Sequence, residues 1–454
     1  MGDSFYHRNT IYGGYSYFGN ATGNTLNING GTFNLYSHCN TIYGGYSVNG
    51  GAIGNTVNIN GDTFNYAYIY GGYSVNGGAI GNKLNINGGT FGRIGSYTSD
   101  IYGGCSGDGA TNNTLTITDG TFNNTDMYGG YSVNGDATGN TVNINGGTFS
   151  DDSNCNQIYG GYSVDGDAKG NTATITDGTF DNAYIYGGHS NNGNAINNTV
   201  TITDGIFTYN TDIIGGDSDG NTTGNTVNIN GSTFNDANIY GGISDNGATD
   251  NTVNISAGTF NGDYIYGGCS GKGNAINNTV TITDGISTYN TYIVGGESYS
   301  GNATDNTLNI NGGTFLGRDN LSNGIYGGCS NIGNVTDNTV NINGSIFDSN
   351  SGYVSIYGGD SGSGDVTGNT VTITNATFNG AYIHGGNSNH GDATGNTITI
   401  NDGVINAKVF GGYAGSGNAS NNVVNIYGSP DLKLATLYGG YAPEGTSSDN
   451  TLNI

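Results

Sequence analysis

A chain of 454 residues with 88 glycines, no tryptophan, two prolines and only 9% charged residues lacks the side chains that long helices need. Its 34 acids against 8 bases give a formal charge of −26, and the bases Arg8, Lys83, Arg93, Lys169, Lys272, Arg318, Lys408 and Lys433 are scattered singly, so the clustered cations that nucleic acid or an anionic membrane surface requires are missing. No apolar run approaches the roughly 20 residues that span a bilayer, the opening Met-Gly-Asp-Ser-Phe-Tyr lacks the basic and apolar regions of a signal peptide, and Tyr6 breaks the myristoylation pattern.

The chain begins on Gly2-Asp3-Ser4-Phe5 and then reaches Ile11-Tyr12-Gly13-Gly14, the first of 16 copies of Ile-Tyr-Gly-Gly or a close variant, spaced 26 to 32 residues apart and ending with Leu437. Behind each copy comes a turn rich in Gly, Asn, Asp and Ala, then a segment such as Asn55-Thr56-Val57-Asn58-Ile59-Asn60, then Gly-Thr-Phe and a variable return stretch. The middle segment alternates with period two, which puts Val57 and Ile59 on one face and Thr56 and Asn58 on the other. One such strand cannot bury its apolar face alone. Stacking each copy on the next at about 4.8 Å builds a continuous core and pairs the backbone. The predicted fold is therefore all-β: a single-stranded parallel β-helix, or β-solenoid, of about 16 coils with three short strands each, running over residues 1–454 as one continuous repeat domain.

Three columns are predicted to fill the core: the first Ile of Ile-Tyr-Gly-Gly, the two apolar residues of the middle strand, and the Phe of Gly-Thr-Phe. The Phe column runs from Phe5 and Phe33 to Phe378, with Ser287 and Ile405 in matching places. The Asn that opens the middle strand is present in all 16 copies, from Asn24 to Asn450, and its parity turns it inward. Stacked Asn side chains bonding along the axis are the structural solution for a buried amide. The chain stops on the middle strand Asn450-Thr451-Leu452-Asn453-Ile454, complementary to the third-strand start, so both ends are expected to be uncapped. Either the chain is cut from a longer array or its ends associate with one another.

The units Ile-Tyr-Gly-Gly-Tyr-Ser, Gly-Asp-Ala-Thr-Gly-Asn-Thr-Val-Asn-Ile-Asn and Gly-Gly-Thr-Phe resemble the repeat regions of large bacterial autotransporter and adhesin passenger proteins. The likeness covers essentially the whole chain. It implies a right-handed β-helix displayed outside the cell or on its surface, acting in adhesion, in aggregation or as a spacer, with a glycan or protein of a host or neighbouring cell as partner. The signal peptide and membrane barrel of such proteins are not found in this sequence.

Tyr follows the first Ile in 12 of 16 copies, and alternation turns it outward, which predicts an exposed stripe through Tyr12, Tyr43, Tyr70, Tyr102, Tyr128, Tyr159, Tyr186 and Tyr240. Such rings can dock sugars or proteins; the structural alternative is that they stack on one another and cover the Gly-Gly backbone. Of Cys39, Cys105, Cys155, Cys269 and Cys329, three share the column after Gly-Gly, and the closest two of these lie two coils apart, roughly 9 to 10 Å and beyond disulfide reach. Neither an intrachain disulfide nor a Cys-rich metal site is expected. Thr114-Leu115-Thr116-Ile117-Thr118 and similar copies resemble ice-binding faces, although ten copies carry Asn at the central position. Asp165-Gly166-Asp167, Asp217-Ser218-Asp219 and Asp151-Asp152 supply oxygen ligands without a repeated ladder, so only weak, diffuse Ca²⁺ binding is expected and no cofactor. No position gathers Asp, His and a base as a glycan-cleaving β-helix would need, and the five His are dispersed. The sequence therefore points to a non-catalytic extracellular scaffold or adhesin segment, with an ice-binding solenoid and a glycan-active enzyme as the alternatives.

Overall fold

The computed structural model describes residues 4–5, 10–34, 40–92, 98–150, 155–289, 291–317, 323–349, 354–432 and 434–454. The longer return loops expected near 35–40, 92–99, 151–156, 316–323 and 348–354 lie largely outside them, as does Cys39. Among the described residues there is no helix, and every paired strand is parallel to its neighbour in the next coil. The β-solenoid expected from the repeat is the fold. It divides into two compact units, one of residues 1–220 with 225–228, the other of residues 221–224 with 229–454. Each carries eight copies of the Ile-Tyr-Gly-Gly strand, from Thr10–Ser16 to Asp212–Ser218 in the first and from Asn238–Ser244 to Thr436–Tyr441 in the second.

Like pairs with like. Ile42 faces Ile69, Tyr43 faces Tyr70 and Ser47 faces Ser74 across adjacent coils, and the middle strands align Thr56, Val57, Asn58 and Ile59 with Lys83, Leu84, Asn85 and Ile86. Some differences in repeat length are absorbed inside the ladders as local register shifts, as between Asn379 and Ala381. One element was not predicted: a two-residue strand such as Ala52–Ile53 or Ala79–Ile80 lies in what the sequence marks as a turn, and it stacks on its counterparts as a further ladder. Its Ala faces inward, buried in coil after coil of the first unit. Conversely, the middle and third strands fuse in some coils, as in Thr56–Asn65 and Lys83–Gly92.

The interior follows the three predicted columns. Ile69, Val57, Ile59 and Phe64 are fully buried, and in the first unit Phe33, Phe64, Phe91, Phe122, Phe149 and Phe180 stack face to face with centroids 4.6–5.2 Å apart. Burial contributes about 1.5–3 kcal/mol per ring and each stacked pair about 0.5–1.5 kcal/mol more. Where the second unit puts Ser287 in this column, its hydroxyl is buried too and bonds to the Thr291 hydroxyl at 2.6 Å.

The inward Asn forms the ladder expected of it. Asn113 donates from both its backbone N–H and its Nδ2 to Oδ1 of Asn140, at 3.0 Å each, and its Nδ2 also reaches the carbonyl of Ala79 in the coil behind. Every polar atom of the buried amide is used. The pattern repeats from Asn24 to Asn225 in the first unit and from Asn251 to Asn450 in the second. It also explains the glycine pair. A methyl group on the second glycine of each pair, Gly45 for example, would overlap the Asn55 carboxamide, and one on the first, Gly44, would meet the carbonyl of Gly71 in the next coil.

Phe149→Ala should cost about 3–5 kcal/mol, the price of emptying a stacked core site. Asn140→Ala should cost a similar amount, because it leaves the Asn113 donors and the Ala110 carbonyl without partners, at about 1–3 kcal/mol for each buried orphan. Urea denaturation followed by circular dichroism measures both; an Asn140→Ala protein as stable as wild type would mean that the ladder is not structural.

Candidate functional site

The outer surface beside the glycine pair is where the sequence placed a candidate binding stripe. The strand changes phase at Gly-Gly, so in Asn40–Ser47 both Tyr43 and Tyr46, three residues apart, face outward while Ile42 and Ser47 face inward. Two aromatic columns result instead of one. Tyr12, Tyr43, Tyr70, Tyr102, Tyr128, Tyr159 and Tyr186 stack with centroids 4.7–5.1 Å apart. Beside them stand Tyr15, Tyr46, Tyr73, Tyr131 and Tyr162, whose rings meet the first column edge-on, as Tyr43 meets Tyr46 at 4.9 Å.

This arrangement corrects the expectation of an exposed stripe. Tyr12 is 43% exposed, but Tyr43, Tyr70, Tyr186 and Tyr240 are only partly so, and Tyr102, Tyr128 and Tyr159 are buried at 5–8% exposure. Each ring is covered above and below by its stacked neighbours and on its flank by the second column. Burial accordingly holds the phenol groups of Tyr70, Tyr102, Tyr128, Tyr159 and Tyr186 well above their ordinary pKa. The rings offered to solvent belong largely to the second column. Its signal, Tyr at the residue after Gly-Gly, was present in the sequence but was hidden by the assumption of unbroken alternation.

In the second unit the first column includes Tyr240 and Tyr266, then Tyr326, Tyr357, His384, Phe410 and Tyr438. Val294 interrupts it. Tyr292, from the outward position two residues earlier, leans into the gap and contacts both Tyr266 and Tyr326, at 5.9 and 4.8 Å. Gly324 leaves the room this ring needs, since a methyl there would overlap Tyr292. His384, also buried, is sandwiched between Tyr357 and Phe410 at 4.9 and 4.8 Å, with its Nδ1 unpartnered. Burial pulls its pKa down from 6.5 to about 3.

The position after Gly-Gly varies most. It holds Cys105 among the tyrosines of the first unit, and Cys269, Glu297, Cys329 and Asp360 in consecutive coils of the second. Burial raises the thiol of Cys269 to about 12 and the carboxyl of Asp360 to about 6, and Cys329 rises as well. Thiols held protonated in this way are poor nucleophiles and poor metal ligands. His189 shares the position in the first unit; its Nδ1 lies 2.9 Å from Asp217 Oδ2 and its Nε2 lies 2.8 Å from Asn191 Oδ1. Although burial opposes its charge, the Asp217 contact outweighs that and raises its pKa. One position before the first Ile, Asp100 and Asp126 occupy adjacent coils, and burial followed by mutual repulsion lifts Asp126 to about 7.

At the turns, the structure places Asp167 on Asp136, whose carboxylates are both 2.9 Å from the Lys169 ammonium. Asp217 instead faces His189. Among the described residues, no group of three or more His, Cys, Asp or Glu is arranged to hold a metal ion, and no helix is long and apolar enough to cross a membrane. On the middle-strand face, Thr141, Thr172 and Thr199 align in successive coils, while Asn27, Asn58 and Asn85 bond to one another down their column at 2.7 and 2.8 Å. Comparison of the chain with known protein families, with characterised proteins and with solved structures finds no match.

Two buried groups should give the protein opposite pH dependences. The unfolded chain protonates His384 at about 6.5 and the folded one at about 3, so stability is lost as pH falls through that window. His384→Phe should remove this loss. Asp263, fully buried and accepting the Ala237 and Asn261 N–H groups at 2.7 and 2.6 Å, is raised from 3.8 to about 7 by burial. Its contribution is complete below about 3.8 and is lost as pH rises towards 7. Melting temperatures across pH 4–8 for wild type, His384→Phe and Asp263→Asn would show both slopes flatten in the matching variant, or show these groups to be irrelevant.

Proposed function

We propose that the chain is a non-catalytic scaffold or adhesin segment displayed outside the cell, binding a glycan or protein through repeated outward side chains. The observation that carries this reading is the strict register of like on like. Where an outward side chain recurs in the next coil, as Tyr131 and Tyr162 do, a weak contact is multiplied along the stack without any new fold. The second tyrosine column is the surface best suited to that task, since partly exposed rings supply contact area at low entropic cost.

An ice-binding reading has its own observation, the aligned Thr141, Thr172 and Thr199. The Asn side chains on the same face favour the scaffold, because Asn27, Asn58 and Asn85 spend their amides on each other.

Glycan and protein arrays probed with the purified chain test the proposal, alongside a Tyr46→Ser, Tyr73→Ser double variant that spares the buried column. Specific binding that falls at least several-fold in the variant, with the fold intact, is the expected result. An array with no binding, together with thermal hysteresis in freezing solution, would replace the adhesin with the ice binder.

A further inference from the structure

The tyrosine column of the first unit combines a continuous stack of rings, an entry from the surface and a carboxylate acceptor for one buried phenol. From Tyr12 to Tyr186 each ring lies parallel to the next within 5–10°, at centroid separations of 4.7–5.1 Å. Rings in such contact overlap well enough for an electron vacancy to hop from one to the next. The partly exposed Tyr46 and Tyr73 touch Tyr43 and Tyr70 edge-on at 4.9 and 5.0 Å, which gives an oxidant in solution an entry to the buried column. Deep in the column, the phenol of Tyr102 donates to Oδ2 of Asp100 at 3.2 Å, whereas that of Tyr159 donates to the amide Oε1 of Gln157 at 2.6 Å.

The difference between those acceptors decides where a vacancy would settle. A phenol that has lost an electron becomes a strong acid and is trapped only where a base can take its proton. A carboxylate can do so; an amide oxygen cannot. Burial keeps Tyr102 protonated before oxidation, by raising its pKa, and it also raises Asp100, making it a stronger base than a surface carboxylate.

We propose that this column is a one-electron relay that carries oxidising equivalents from the surface of the first unit to Tyr102, with Asp100 as the proton acceptor. An outer-sphere one-electron oxidant takes an electron from a surface ring and is reduced by one electron. The vacancy is filled in turn by the neighbouring rings until Tyr102 has supplied the electron. Its O–H bond then breaks, the proton forms a new O–H bond on the Asp100 carboxylate, and a neutral tyrosyl radical remains on Tyr102. In a chain with 88 glycines, whose backbone C–H bonds are prone to radical attack, such a trap keeps oxidation on a ring that a solution reductant can restore by returning one electron while Asp100 returns the proton. The relay does not depend on the binding role proposed above.

Photogenerated tris-bipyridine ruthenium(III), applied to the intact chain, tests the relay by electron paramagnetic resonance of the radical and by its decay. Wild type should give a long-lived tyrosyl signal. Tyr102→Phe, which preserves the stacked ring, and Asp100→Asn should each shorten its lifetime several-fold, and Tyr70→Leu should lower the yield of the long-lived species. Acidifying wild type until Asp100 is protonated, with folding checked by circular dichroism, should reproduce the Asp100→Asn decay without any substitution. Equal lifetimes in wild type, Tyr102→Phe and acidified wild type would overturn the proposal, even if Asp100→Asn failed to fold.

Discussion

Everything in each unit depends on one repeated contact, the inward Asn that binds its counterpart in the next coil. Asn140 accepts two hydrogen bonds from Asn113 and donates to Asn171 and to the Ala110 carbonyl, so it fixes both the height and the rotation of each coil relative to the next. A slip of one residue would set these donors opposite Gly139 or Thr141, neither of which offers a carboxamide oxygen, and leave several buried groups without partners. The amide therefore specifies register in a way that interchangeable Val, Leu and Ile residues cannot. Its demands spread outward: the carboxamide needs the space that the second glycine vacates, and the close approach of successive coils needs the first glycine.

Once register is strict, every outward position becomes a column, and the chemistry of a column differs from that of a single residue. Aromatic rings gain from it because each finds two parallel neighbours at the spacing that the backbone imposes. Tyr292 shows how far this preference reaches. Where Val294 leaves a gap, a ring from a different position swings across to keep contact with Tyr266 and Tyr326. His384 is the reverse case, a titratable ring that packs like its neighbours but has no partner for its Nδ1 and gives up its charge to stay there.

The sequence exposes the parts of this design that depend on periodicity. Alternation in Asn55 to Asn60 and the recurrence of Phe33, Phe64 and Phe91 are enough to predict the parallel stack, its core and the buried amide ladder, because each is a pattern repeated in nearly every coil. What stayed hidden depends on local departures from period two. The phase change at Gly44-Gly45 turns Tyr46 outward beside Tyr43, and no count of alternating residues can anticipate a step made by two residues without side chains. The same step closes the flank of Tyr102, Tyr128 and Tyr159, which is why residues placed correctly on the outer side proved to be buried there. The Ala52–Ile53 ladder was masked for a related reason: two residues are too few to show a period, and their neighbours carry turn chemistry.

Strict register also accounts for the unusual composition, because it penalises charge. A Lys or Asp retained in every coil would stand about 4.8 Å from its copies above and below, a separation at which like charges repel even near water. Hydroxyl, amide and aromatic groups carry no such penalty and can bond or stack along the axis. Two of the places where acids stack show how such pairs are accommodated: Asp126, chiefly through burial and then through the neighbouring Asp100, is raised to about 7, and Asp136 and Asp167 have a lysine clamped across the pair. A chain built this way is left with 9% charged residues and an abundance of Asn, Thr, Gly and Tyr, not because its surface avoids water but because it must repeat itself.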